Sequence, residues 1–204
     1  VRLHRPPPLS TDLEFHEEQL DNETVSVTVG IDGETVLSGW ASSKTKEPVM
    51  SEDTALELQQ HVALSEEQRN RFDSYEDVFG PSKDHFKECF VCGPESRLGL
   101  RLRLRQITDQ IFWQSWNPGR RWEDQGALAS LPAIAALDCT SALGFYANGV
   151  LGEHESCLLG TYDAVLASLP LFDSDEGFRV ISKTRERVGR KIYTDVGLFG
   201  ATGE

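Results

Sequence analysis

"LASLPAIAALDCTSALGFYANG", residues 128–149, is the only long apolar segment of the chain with helical composition. Bulky apolar side chains fall all round it at helical spacing, which predicts a helix buried over most of its circumference. Strand-like runs lie on both sides. Before it, "LGLRLRLRQ" (98–106) alternates with period two: Leu98, Leu100, Leu102 and Leu104 point one way, and Arg101, Arg103 and Arg105 the other. "QIFWQSW" (110–116) reads as a second strand. After it come "SCLLGTYDAVLASL" (156–169), "GFRVISKTRER" (177–187) and "KIYTDVGLF" (191–199). One buried helix among several strands predicts an α+β unit.

The first half reads as strands alone. "DLEFHEE" (12–18), "TVSVTVGI" (24–31) and "ETVLSGWAS" (34–42) are short β-prone runs, and Ile31-Asp32-Gly33-Glu34 supplies a hairpin turn. The character then changes. "SEDTALELQQHVA" (51–63) has Ser51 as an N-cap, acids in its first turn, and Ala55, Leu58 and Val62 at helical spacing. Ser65 with Gln68 repeats a capping-box pattern, and a polar stretch with Gly80-Pro81 follows. The predicted division is residues 1–50 as a partial strand unit, 51–88 as a helical and loop linker, and 89–204 as a second unit.

A weak internal repeat connects the two units. Pro8-Leu9 matches Pro170-Leu171, and Phe15 matches Phe178 at nearly the same offset. "VSVTVGIDGE" likewise faces "YTDVGLFGATGE". The first copy lacks the strand and long helix that open the second. The second stops where the first turns into "TVLSGWAS". These unequal ends predict that flanking residues of the repeat are missing at both ends, in preference to their being supplied by another chain.

Composition removes several function classes. With 33 acidic against 20 basic side chains and a net charge of −13, the chain is a poor partner for nucleic acid, whose phosphates need a basic surface. No apolar run reaches bilayer length, so no membrane partner is expected, and "VRLHRPPPLS" lacks the apolar core of a signal peptide. Four cysteines in a chain of this size do not form a disulfide scaffold, which points to a reducing, cytoplasmic setting.

"HFKECFVCGPESRLGLRLRL" (85–104), the "AALDC" helix (135–139), "GRK" (189–191) before the last strand, and "RPPPL" (5–9) together resemble a bacterial group of uncharacterised thioesterase-like hotdog proteins of the acyl-CoA thioesterase superfamily. The resemblance covers most of the chain. It implies a hotdog fold, an antiparallel sheet wrapped around a long central helix, with two hotdog units in one polypeptide and association into a homo-oligomer. The helix is similar to the central helix of acyl-thioester hydrolases, which places Asp138 at the position of their catalytic acid. Their substrate would be an acyl-coenzyme A ester, with no cofactor beyond the coenzyme A of the substrate. Where those enzymes have His-Gly-Gly at the helix start, this chain has Ser130-Leu131-Pro132. Proline has no N–H to polarise a carbonyl. Two readings therefore stand side by side: hydrolysis through Asp138, or a non-catalytic module that binds an acyl or other apolar ligand or drives assembly. In the second, Asp138 is a structural acid.

Other candidates have bland alternatives. Arg120 and Arg121, between Trp116 and Trp122, are placed to bind carrier phosphates, or to form a loop ion-paired with Glu123 and Asp124. The arginines of "RLRLR" suit phosphates or the solvated face of a strand. Cys89 and Cys92 form a single C-x-x-C pair with His85 nearby, while Cys139 and Cys157 stand far along the chain. Zinc ordinarily takes two close pairs, so spacing predicts no metal. A redox dithiol ordinarily opens a helix, and this pair precedes Gly93-Pro94 and a strand. The remaining reading is two small thiols packed at the entrance to the second unit.

Overall fold

The computed structural model describes residues 1–7, 10–44, 50–63, 86–102, 105–147, 150–151, 155–166, 168–172 and 177–201. Pro8-Leu9, Ser65 to Gln68, Gly80-Pro81, His85 and the Arg103-Leu104 pair lie outside the described residues. Among the described residues the fold is α+β, with antiparallel sheets and two α-helices, and the chain divides into two compact units.

The first unit holds residues 1–49 and 157–167. Its strands are β1 (Arg2–Leu3), β2 (Glu14–Asp21), β3 (Thr24–Ile31) and β4 (Glu34–Ser42), in the antiparallel order β1-β4-β3-β2. The expected hairpin forms between β3 and β4. Asp32 and Gly33 both take positive φ, 52° and 78°, the left-handed pair that matches the twist of the strands it joins. Val29, Ile31 and Val36 make a small core. The segment after residue 156 does not continue the second unit as a strand. It borders β1: Leu3 N–H donates to the Gly160 carbonyl at 3.1 Å, and Tyr162 N–H donates to that of Val1 at 2.8 Å.

The second unit holds residues 50–156 and 168–204. It opens with α1 (Glu52–Gln60), capped by Ser51, whose hydroxyl accepts from Thr54 N–H at 3.2 Å. Then follow β5 (Arg105–Gln106), β6 (Ile111–Trp116), a 3-10 turn (Arg120–Trp122), the short pair β7 (Glu123–Asp124) and β8 (Ala127–Leu128), helix α2 (Ser130–Ala147), and the long hairpin β9 (Phe178–Val188) and β10 (Lys191–Gly200). The main sheet runs β10-β9-β6-β5, antiparallel throughout.

Period-two alternation sends the two faces of this sheet to different helices. Phe112 and Trp116 of β6, with Phe178 and Val180 of β9, face the core that includes Ala133, Ala136 and Leu143 of α2. Ile111, Trp113 and Ile181 face the other way and pack with Leu58 and Val62 around α1. The helix expected in the linker thus packs on the sheet of the second unit, where Glu57 also pairs with Lys183 at 2.5 Å. Fully burying side chains such as Phe112, Phe178 and Ile181 contributes ~1.5–3 kcal/mol each.

Helix α2 is less enclosed than its composition predicts. Pro132, Ala133, Ala136, Leu137, Thr140 and Leu143 are buried, but Leu131 is 70% and Ile134 38% exposed. The helix is seated by Ala133, Ala136 and Thr140 together with Leu137 and Leu143, and its larger apolar residues near the N-terminus stand out on the open side. Pro132 is accepted because it sits in the first turn, where an N–H has no intrahelical partner.

Candidate functional site

The site is built from the turn that carries the C-x-x-C pair and from the middle of α2. Backbone bonds fold the turn on itself: Cys89 N–H donates to Phe86 at 3.0 Å, Gly93 to Cys89 at 2.8 Å and Glu95 to Lys87 at 2.8 Å. Glycine is required at 93 by close approach. A Cβ there would stand 2.5 Å from both the nitrogen and the carbonyl oxygen of Cys89 and 2.6 Å from the Lys87 oxygen.

Among the described residues of the expected strand from Leu98, Arg105–Gln106 is the part that forms one. Arg101 takes φ 52°, which breaks the alternation, and Leu98 is 70% exposed while Leu100 and Leu102 are buried. The N–H groups of Leu100 and Leu102 go back to the carbonyls of Phe90 and Val91, at 2.7 and 2.8 Å. The turn and the Leu-Arg stretch therefore make one compact knot.

Three side chains clamp that knot. Trp116 Nε1 donates to the Leu100 carbonyl at 3.0 Å. Arg121 Nη2 donates to the carbonyls of Leu98 and Gly99 at 2.9 and 3.2 Å, and its guanidinium lies 5.4 Å from the centre of the Trp122 ring. The Trp122 ring meets Phe90 edge to face at 5.8 Å. Arg120 is exposed and pairs with Glu123 at 2.7 Å. The two adjacent arginines thus have separate partners: Arg121 holds the loop, and Arg120 joins the surface pair.

The knot brings Cys89 and Cys92 to Cys139 on α2. The three Sγ atoms all lie within 4.8 Å of one another. Cys92 is buried, and Cys89 and Cys139 are half-buried. The thiols are free, and Cys157 stands in the first unit. Hydrogen bonds from Cys139 and Cys92, with the N–H groups of Cys92 and Val91, hold the Cys89 thiol far below the usual range. The Cys139 thiol is pushed up, first by donating to Cys89 and then to Cys92, with burial adding to the rise. For Cys92 the bond with Cys139 lowers the thiol, but the bond to Cys89 and burial outweigh it and lift it. Asp138 is half-buried; burial and then the nearby Cys89 charge raise its carboxyl. Its backbone carbonyl accepts from Ser141 Oγ at 2.6 Å.

Chemically, this is a patch of soft sulfur donors beside one carboxyl group. Sequence spacing left Cys139 out, because its partner pair lies on a distant loop and the two meet only in the folded chain. A C-x-x-C-Gly turn together with a cysteine inside an apolar helix was the available signal. No protein-family model, curated protein or solved structure matches the chain.

Proposed function

We propose that the chain is a hotdog-type protein with two hotdog units, acting on or binding acyl thioesters of coenzyme A, with α2 as its working helix. The observation that carries this reading is the alignment of Leu131, Ile134 and Asp138. At spacings of i, i+3 and i+7 they fall on one face of the helix, and the two apolar members are exposed. An acyl chain lying along the apolar pair would bring its thioester toward the acid.

In the hydrolytic form of the reading, Asp138 orients water and takes its proton as the oxygen attacks the thioester carbonyl. The C–S bond then breaks, the sulfur leaves with a proton returned by Asp138, and a carboxylic acid and a free thiol result. Arg120 is the arginine better placed to meet carrier phosphates, since an exposed pair such as that with Glu123 is worth little and exchanges readily. Arg121 would act by holding the loop. Association of copies belongs to the same reading: β2 is an exposed edge strand bearing Phe15 and Leu20. A reducing cytoplasm would keep the thiols free.

Pro132 favours the second reading, binding without turnover, because the helix start lacks one amide that could polarise a carbonyl. Assay of acyl-CoA esters of graded chain length with wild type and Asp138→Asn separates the two. Hydrolysis requires turnover that falls roughly 10²-fold or more in the variant. Binding by both proteins without turnover selects the second reading, and no binding by the wild type rejects both.

A further inference from the structure

We propose that Cys89, Cys92 and Cys139 bind one thiophilic divalent cation of the zinc type, pinning the C-x-x-C-Gly turn to helix α2. This site stands apart from the acyl-thioester reading and survives its failure.

The donor set fits. Zinc bonds to thiolate at ~2.3 Å in a tetrahedral site, which sets sulfurs ~3.8 Å apart. The three Sγ atoms, already within 4.8 Å of one another, need only small side-chain adjustments to reach that spacing. They come from two elements far apart in sequence, so their meeting is a product of the fold and not of local spacing. No other His, Cys, Asp or Glu belongs to this group among the described residues. Three thiolates leave one tetrahedral position for water or an added ligand.

The turn is built to hold such a group. Gly93 allows the chain to cross over Cys89 at a distance no side chain permits. Trp116 and Arg121 fix the far side of the knot through its carbonyls, so the pair is held in place before a cation arrives. A disulfide would use two of the sulfurs and strand the third. A cation uses all three. On binding, Cys92 and Cys139 release their thiol protons to solvent, as does any protonated Cys89, and no electron changes hands.

The full-length chain, purified in reductant without chelator, should carry about one equivalent of zinc. Cys157→Ser should retain it, and Cys89→Ser and Cys139→Ser should lose at least nine-tenths of it, as read by elemental analysis. Should those variants fail to fold, wild type decides alone. Stripped wild-type chain titrated with cobalt should develop thiolate-to-cobalt charge-transfer absorption, and zinc should shield three of its four cysteines from alkylation. The proposal is overturned if wild type gives no cobalt absorption and all four cysteines alkylate equally with and without zinc. It is also overturned if Cys89 and Cys92 are found as a disulfide and the reduced chain takes up neither ion.

Discussion

Gly144 of α2 lies directly against Phe112 of β6: a Cβ on the glycine would stand 2.8 Å from Cδ2 of the ring. The missing side chain lets the helix settle onto the sheet, and Phe112 is fully buried beneath it. Gly144→Val should therefore overpack the interface and destabilise the chain by ~1–3 kcal/mol. Urea denaturation measures this, and an unchanged midpoint would show that the helix is not seated on Phe112. Gly144→Ala should do less, because alanine's gain in helix propensity offsets part of the clash.

Gly93 makes a second close approach, but against backbone, which cannot turn aside as a side chain can. Gly93→Ala should open the turn and raise the alkylation rate of the buried Cys92 thiol well above that of wild type. Mass-spectrometric labelling under native conditions reads this site by site. Equal Cys92 labelling in the two proteins would contradict the packing.

Thr140, fully buried on α2, has a hydroxyl without a hydrogen-bond partner among the described residues, as have Ser182 and Thr184 on β9. An unsatisfied buried hydroxyl costs free energy that an isosteric methyl group does not. Thr140→Val should stabilise the second unit by ~1 kcal/mol, seen as a raised thermal midpoint. A lowered midpoint would mean that the hydroxyl is hydrogen-bonded after all.

Asp195 of β10 is buried, with Arg185 Nε 3.2 Å from its carboxylate. Burial raises its carboxyl, and the charges of Arg185 and Lys183 only partly counter the rise. The native chain therefore holds this proton more tightly than the unfolded chain does. Stability falls as pH rises through the window between the unfolded and folded values, and the penalty is complete above the folded one. Asp195→Asn should remove this term. Its stability relative to wild type should grow as pH rises from about 4, near the unfolded value, and then level off. Denaturation midpoints across that range test it, and a constant difference would contradict it.

Local signals in the sequence located local structure. The Asp32-Gly33 turn, the Ser51 cap and the apolar run of α2 each form where turn chemistry, capping and composition place them. Leu98 to Gln106 shows the limit of periodicity. Its alternation looks like a strand, yet Leu100 and Leu102 give their N–H groups to the cysteine turn, a partner that no periodicity can name. The meeting of Cys139 with the C-x-x-C pair was hidden for the same reason, as its neighbours come from another part of the chain. The repeat conceals a difference in environment: Phe15 and Phe178 occupy matching places at the head of a hairpin, but Phe15 is 71% exposed and Phe178 is fully buried.

The bond from Leu3 to Gly160 has a consequence for the order in which the protein is made. On the ribosome, β1 must wait for most of the chain to emerge before it meets that neighbour. The first sheet can form its β2-β3-β4 meander early, from contacts close in sequence. Its β1 border, in contrast, stays unclosed until the entire helical core of the second unit has been translated. During that interval the nascent chain carries an open edge at β1 in addition to that of β2, which exposes it to mispairing.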